Sequence, residues 1–159
     1  MNWEQEALRL LYLEGRLLDD RRFDEWLTLY TEDCEYWVPA WHGEEILTAD
    51  PSTEVSLMYY RNRHGLEDRV FRVKTGTSAA SMPLPRTCHL VTNALFEKRQ
   101  EALCATANWH TNVWRKENLQ IYTGYADYTF RQEDKLKIAK KKVVLINDLI
   151  DTVVDFYMI

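Results

Sequence analysis

LLDDRRFDEWLTLYTEDCEYWVPAW, residues 17–41, changes hydrophobic period twice, and those changes decide the fold. Phe23, Trp26, Leu27 and Tyr30 fall at i, i+3, i+4 and i+7. That spacing gathers four large apolar groups on one face and predicts a helix over 21–31. Asp20 is placed to cap it, and Asp24 and Glu25 lie in the first turn, where the helix dipole favours carboxylates. Past Asp33 the period becomes two: Cys34, Tyr36 and Val38 face one way, Glu35 and Trp37 the other. Pro39 closes this strand, 34–38. A helix therefore delivers a strand to a sheet, with a band of aromatics that must be covered.

Working outward, Trp3, Ala7, Leu10 or Leu11, Leu17 and Leu18 step round at a helical period, predicting an amphipathic helix over 2–19 that tolerates Gly15. Residues 40–54 read as a loop, within which Trp41 and Ile46 need something to pack against. Residues 56–60 fit no single pattern. Leu66, Val70, Phe71 and Val73 predict a third helix over 64–74, with Gly76 where a C-terminal cap is expected. After Pro85 the chain alternates in four long strand patterns, 86–97, 102–115, 120–131 and 135–147, joined by polar turns. Short turns between consecutive strands make an antiparallel meander. Helices first and strands last argue for an α+β fold in one domain, 1–159, the helices covering one face of a strongly curved sheet.

Composition narrows the function classes. The 159 residues are 46% hydrophobic and include six Trp and nine Tyr, which gives ample material for a core. A net charge of −5 with dispersed basic residues argues against nucleic acid. The run Lys140-Lys141-Lys142 lies in a strand pattern and reads as a solvated edge. Cys34, Cys88 and Cys104 sit among apolar strand neighbours and read as reduced, small hydrophobes. The first residues show no signal-like pattern, and no window is apolar enough for a membrane span, so a cytoplasmic protein is expected.

Residues 17–41 also carry a family resemblance, and three further segments agree in order: SLMYYRNRHGLEDRVFRVKTG at 56–76, PRTCHLVTNALF at 85–96, and the closing run of long strands. Together they resemble the small (beta) subunit of aromatic-ring-hydroxylating dioxygenases. The forms YWVPAW and YYRNRHGLEDRVFR are most similar to the benzoate and anthranilate branch. Cys88 stands where that family often has Arg or Ser. The resemblance implies a cystatin-like cone with N-terminal helices packed on its concave face. It also implies a non-catalytic structural subunit that scaffolds large subunits, three of each, in an oxygenase using O2 and NADH. The Rieske 2Fe-2S cluster and the mononuclear Fe(II) would belong to the large subunit.

The residues themselves offer few of the constellations that such chemistry needs. A Rieske site needs two Cys and two His in paired spacings, and this chain offers only Cys88-His89. An iron facial triad needs two His and a carboxylate, but His42, His64, His89 and His110 are far apart in sequence. No glycine-rich phosphate motif occurs. A competing reading makes the cone itself a dehydratase or isomerase through Tyr30, Asp33, Tyr36 and His89, a carboxylate beside a His suiting proton abstraction. Against it, the two tyrosines serve as aromatic filling, Asp33 ends a helix, and His89 is hydrogen-bonded in a sheet. A third signal is aromatic bulk on both faces of the strands: Trp109 falls on one face and Trp114 on the other. Such an outer face implies cover by another chain at Trp109 and Trp114, the alternative being a two-sided sandwich or scattered surface aromatics. Arg86 and His89, in the segment that best matches the family, are the further expected interface residues, the alternative for Arg86 being an intrachain salt bridge.

Overall fold

The computed structural model of the chain describes residues 1–78, 81–147 and 153–159. Helix α1 (Trp3–Asp19) begins with a capping box in which Asn2 and Gln5 exchange side-chain and backbone hydrogen bonds. It buries Ala7, Leu10, Leu11, Leu17 and Leu18. Helix α2 is much shorter than the spacing predicts, Phe23–Leu27. Asp20 is no cap for it: Arg22 holds the N-cap position without a side-chain capping bond, and Asp20 instead terminates α1. Arg21, in the left-handed region at φ 58°, turns the chain between the two. Helix α2 stops because the Leu29 carbonyl accepts the Ile138 amide at 2.8 Å, which pulls the backbone into the sheet one residue before Tyr30. Helical spacing placed Tyr30 on the right face but in the wrong element.

Strand β1 (Tyr30–Pro39) follows. The expected loop contains a small ribbon, β2 (Trp41–His42) and β3 (Ile46–Leu47), with Gly43 at φ 74° in its turn. Trp41 fastens it by donating from Nε1 to the Leu145 carbonyl at 2.6 Å. The ambiguous segment is strand β4 (Ser56–Tyr60). Helix α3 (Arg63–Lys74), capped by Asn62, buries Leu66, Val70 and Val73, and Gly76 at φ 70° ends it in the left-handed conformation. Phe71, assigned to the buried face by its spacing, is exposed. The last strands are β5 (Arg86–Arg99), β6 (Ala102–Arg115), β7 (Asn118–Gln132) and β8 (Leu136–Leu145).

These strands form one sheet in the order β4-β1-β8-β7-β6-β5. The meander β5 to β8 is antiparallel, as is β1 with β4, while β1 lies parallel to β8. The parallel pair overturns the reading of the lysine run. Residues 140–142 are central in the sheet, and Lys141 is buried. Register breaks at Thr92/Leu95, with Asn93 at φ 53°, and at Thr129/Phe130 bend the long strands. The sheet thereby curls round α1, α2 and the C-terminal residues. Phe156, Tyr157, Met158 and Ile159 are all buried there, Phe156 stacking on Trp26 at 5.1 Å between centroids. Arg69 of α3 pairs with buried Asp155 and holds this last segment in place. Gly15 allows α1 to approach β5, since a Cβ there would stand 3.1 Å from that of His89.

Candidate functional site

Three places merit attention: the interior of the curved sheet, the end of α1 against β5, and the outer sheet face. In the interior, Glu14 projects from the buried face of α1. Its Oε1 accepts from Trp26 Nε1 at 3.3 Å, from Lys141 Nζ at 2.8 Å and from the Tyr30 hydroxyl. Glu14 and Lys141 side chains are 4% and 5% exposed. The Lys141 ammonium also lies 5.6 Å from the ring centroids of both Tyr36 and Tyr128, where the π faces supplement its hydrogen bond. Burial, reinforced by the Glu14 carboxylate, pushes the phenols of Tyr30, Tyr36 and Tyr128 well above the usual tyrosine range. These hydroxyls stay protonated and do not act as bases; that of Tyr30 donates to Glu14, while that of Tyr36 is buried without a hydrogen-bond partner among the described residues.

At the end of α1, Asp19 reaches across to β5. Its carboxylate accepts from the His89 backbone N–H at 3.0 Å and the Thr87 hydroxyl at 2.9 Å, and it lies 2.5 Å from His89 Nδ1. Burial pulls the Asp19 pKa up, but the bonds from His89 and Thr87 outweigh it and hold the carboxyl below the usual range. Alongside runs an open groove of about 870 Å³, whose walls include Arg9, Tyr12, Leu13, Arg16 and Lys135.

The dehydratase constellation is not assembled. Tyr30 and Tyr36 do meet in the interior, 6.1 Å between ring centroids. Asp33 neither ends a helix nor enters that interior; it lies on β1 with its side chain 66% exposed, paired with Arg131 at 2.8 and 3.1 Å. His89 is engaged by Asp19. The interior cavity beside His89, lined also by Tyr128 and Lys141 and by neither Tyr30 nor Tyr36, amounts to about 20 Å³, far below what a substrate needs. The sequence points to neither Glu14 nor Asp19 as a candidate and places Lys141 on a solvated edge, although a signal existed for Glu14 and Lys141. Glu14 falls three and four residues after Leu11 and Leu10 on the buried stripe of α1, and Lys141 alternates in step with Ala139, Val143 and Leu145.

On the outer face, Arg86 and Trp114 are register partners, the guanidinium 6.0 Å from the indole centroid. Leu119 pairs with Trp114, and Ile121 with Asn112, so β5, β6 and β7 present Cys88, Leu90, Trp114, Leu119 and Ile121 outward together. Trp114 is 40%, Leu90 49% and Ile121 46% exposed. The other end of this face is covered internally, by Lys142 over Trp37 at 5.0 Å and Trp37 Nε1 on Ser56. Of the four expected interface residues, only Arg86 and Trp114 stand at the surface. Trp109 belongs to the core and donates to the Tyr125 carbonyl at 3.2 Å, and His89 faces α1, because odd and even positions on these strands serve opposite faces.

Cys34 and Cys104 are buried and Cys88 is exposed, so only the first two pack as small hydrophobes. Burial pushes the Cys34 thiol up to about 12. Among the described residues, no three His, Cys, Asp or Glu side chains gather as a metal would need. His42 lies on the ribbon, His64 on α3, His89 inside and His110 on the outer face, so the donor set fits neither a Rieske cluster nor a facial triad.

Residues 13–152 match the family described as the ring hydroxylating beta subunit. The chain belongs to that family. It is 44% identical over 154 residues to the small subunit of 2-halobenzoate 1,2-dioxygenase from Burkholderia cepacia, covering 96% of this chain and 93% of the relative. Identity to the benzoate 1,2-dioxygenase beta subunit of Acinetobacter baylyi is 41%, over 98% of this chain and 93% of that one. Among solved structures, the beta subunit of benzoate 1,2-dioxygenase from Burkholderia mallei superposes with a TM-score of 0.78 at 39% identity, covering 96% and 95% of the two chains. An NTF2-like protein with a cystatin-like fold from Novosphingobium aromaticivorans, at 13% identity, superposes with a TM-score of 0.64 over 96% and 89% and shares the fold alone. The curved sheet of this ring-hydroxylating beta subunit is thus cystatin-like. No helix among its described residues is long and apolar enough to cross a membrane.

Proposed function

We propose that this chain is the small subunit of a ring-hydroxylating dioxygenase acting on benzoate, anthranilate or a similar aromatic carboxylate, and that its role is architectural. One observation carries the reading beyond family membership. The interior, which could have held a substrate, is filled by Trp26, Tyr30, Tyr36 and Phe156, whereas an apolar strip beside Arg86 remains open on the outer face. The sequence has invested in a surface. A Rieske cluster and a mononuclear iron would be held by the large subunit, whose chemistry adds both atoms of O2 to the ring with electrons from NADH. This chain would hold the large subunits in register, three of each, in the cytoplasm. Arg86 and Trp114 would meet the neighbouring chain, and His89 and Trp109 would support that surface from behind.

Sedimentation of the chain with its large subunit tests the role. A complex containing both chains in equal number is expected. A chain that remains monomeric at tens of micromolar, with and without the large subunit, would remove it.

A further inference from the structure

The small interior cavity has an unusual wall. Among its lining residues are Glu14, Gly15, His89, Trp109, Tyr128 and Lys141, five of which bear charged or hydrogen-bonding side chains, around a space of about 20 Å³. A single water requires roughly 10–15 Å³ of such volume and two to four polar partners. The cavity is therefore large enough for one water and too small for two. His89 supplies the second, independent observation. Its side chain is 7% exposed, and Nε2 is buried without a hydrogen-bond partner among the described residues. Its other ring nitrogen is committed to Asp19, which, held as a carboxylate, can only accept; Nδ1 therefore carries a hydrogen, and in the neutral ring Nε2 presents a lone pair. Lys141 has further hydrogens to offer, since Glu14 takes one and the tyrosine rings engage the rest only through their faces. An acceptor and a donor thus line one cavity that fits one small molecule.

We infer that this cavity is a binding site for one structural water, which donates a hydrogen to His89 Nε2 and accepts one from the Lys141 ammonium. The water joins two clusters that are otherwise separate: Asp19–His89, which ties the end of α1 to β5, and Glu14–Lys141, which ties its middle to β8. Helix α1 is then fastened to the edge and the centre of the sheet through one continuous hydrogen-bonded path, with Gly15 providing the close approach that encloses it.

The test is a crystal structure of the full chain, alone or with its large subunit, at a resolution that defines ordered water. One peak is expected about 3 Å from His89 Nε2 and at a similar distance from Lys141 Nζ. No density at that position, or a protein atom bonded to Nε2, would overturn the site. Nitrogen-15 spectroscopy of the histidine ring in the folded chain provides a second readout. A neutral ring with hydrogen on Nδ1 supports the assignment, whereas hydrogen on Nε2 would reverse the donor and sink it.

Discussion

Glu14 and Lys141 show how one pair of charges can be tolerated at the centre of an aromatic core. Each costs several kcal/mol to bring out of water, and what offsets that cost is their mutual attraction together with Trp26, Tyr30 and the two ring faces over Lys141. Removing one partner is then far worse than removing both. Glu14→Leu should destabilise the chain by ~3–5 kcal/mol, because it leaves the ammonium buried and unpaired. The double variant Glu14→Leu with Lys141→Met should recover most of that loss, measured as urea midpoints of the four proteins in the cycle. Additive losses would show that the two residues are not coupled. Asp19 leads to a different measurement. Its folded pKa is depressed, so the stability it contributes is fully present above the ordinary carboxylate value of 3.8 and disappears as pH falls through the folded value. Asp19→Asn should lower stability at neutral pH and flatten the decline below about pH 4. An unchanged acid limb would mean that the His89 and Thr87 bonds do not favour the charged form.

At the scale of elements, the five residues of α2 anchor more than their length suggests. Trp26 is fully buried, stacked on Phe156 and edge-on to Tyr30 and Tyr36, so it joins the N-terminal helices, β1 and the C-terminal segment. Trp26→Ala should cost ~3–5 kcal/mol, visible as a lowered denaturation midpoint. That is a large share of the 5–15 kcal/mol typical of a domain. A midpoint left unchanged would place the helix outside the core. The strands of the meander were legible because alternation is a local signal and their turns are polar. The hairpin turn at Lys116 and Glu117 was legible as a turn but not in type: both residues take positive φ, 51° and 62°, without a glycine to announce it. The end of α2 was not legible, since a hydrogen bond from Ile138, more than a hundred residues away, sets it. Lys141 was misread for the same reason. Nothing near it in sequence says that β1 will lie parallel to β8 and turn an apparent edge into the middle of the sheet.

The whole molecule divides its aromatic material between two tasks. Alternation along β6 and β7 made that division readable: Trp109, Tyr122 and Tyr128 face the helices, while Trp114 and Ile121 face outward, so the open face could be anticipated though its members could not all be named. The open strip is confined to β5–β7, because the β1–β8 end of the same face is covered by the chain's own Trp37 and Lys142. Association should therefore depend on Arg86 and Trp114 and not on Trp37. Aromatic and Arg side chains are the usual centres of binding energy, and truncating one commonly costs about 2 kcal/mol or more. Trp114→Ala, and separately Arg86→Ala, should weaken assembly with the large subunit about thirtyfold or more, the equivalent of that energy. The isolated chain should keep its denaturation midpoint to within about 0.5 kcal/mol, since the two groups lie on the surface away from the core. Titrating the large subunit with each variant, and with Trp37→Phe as a control, would measure this directly. Wild-type affinity in both outward variants would move the interface to another face of the molecule.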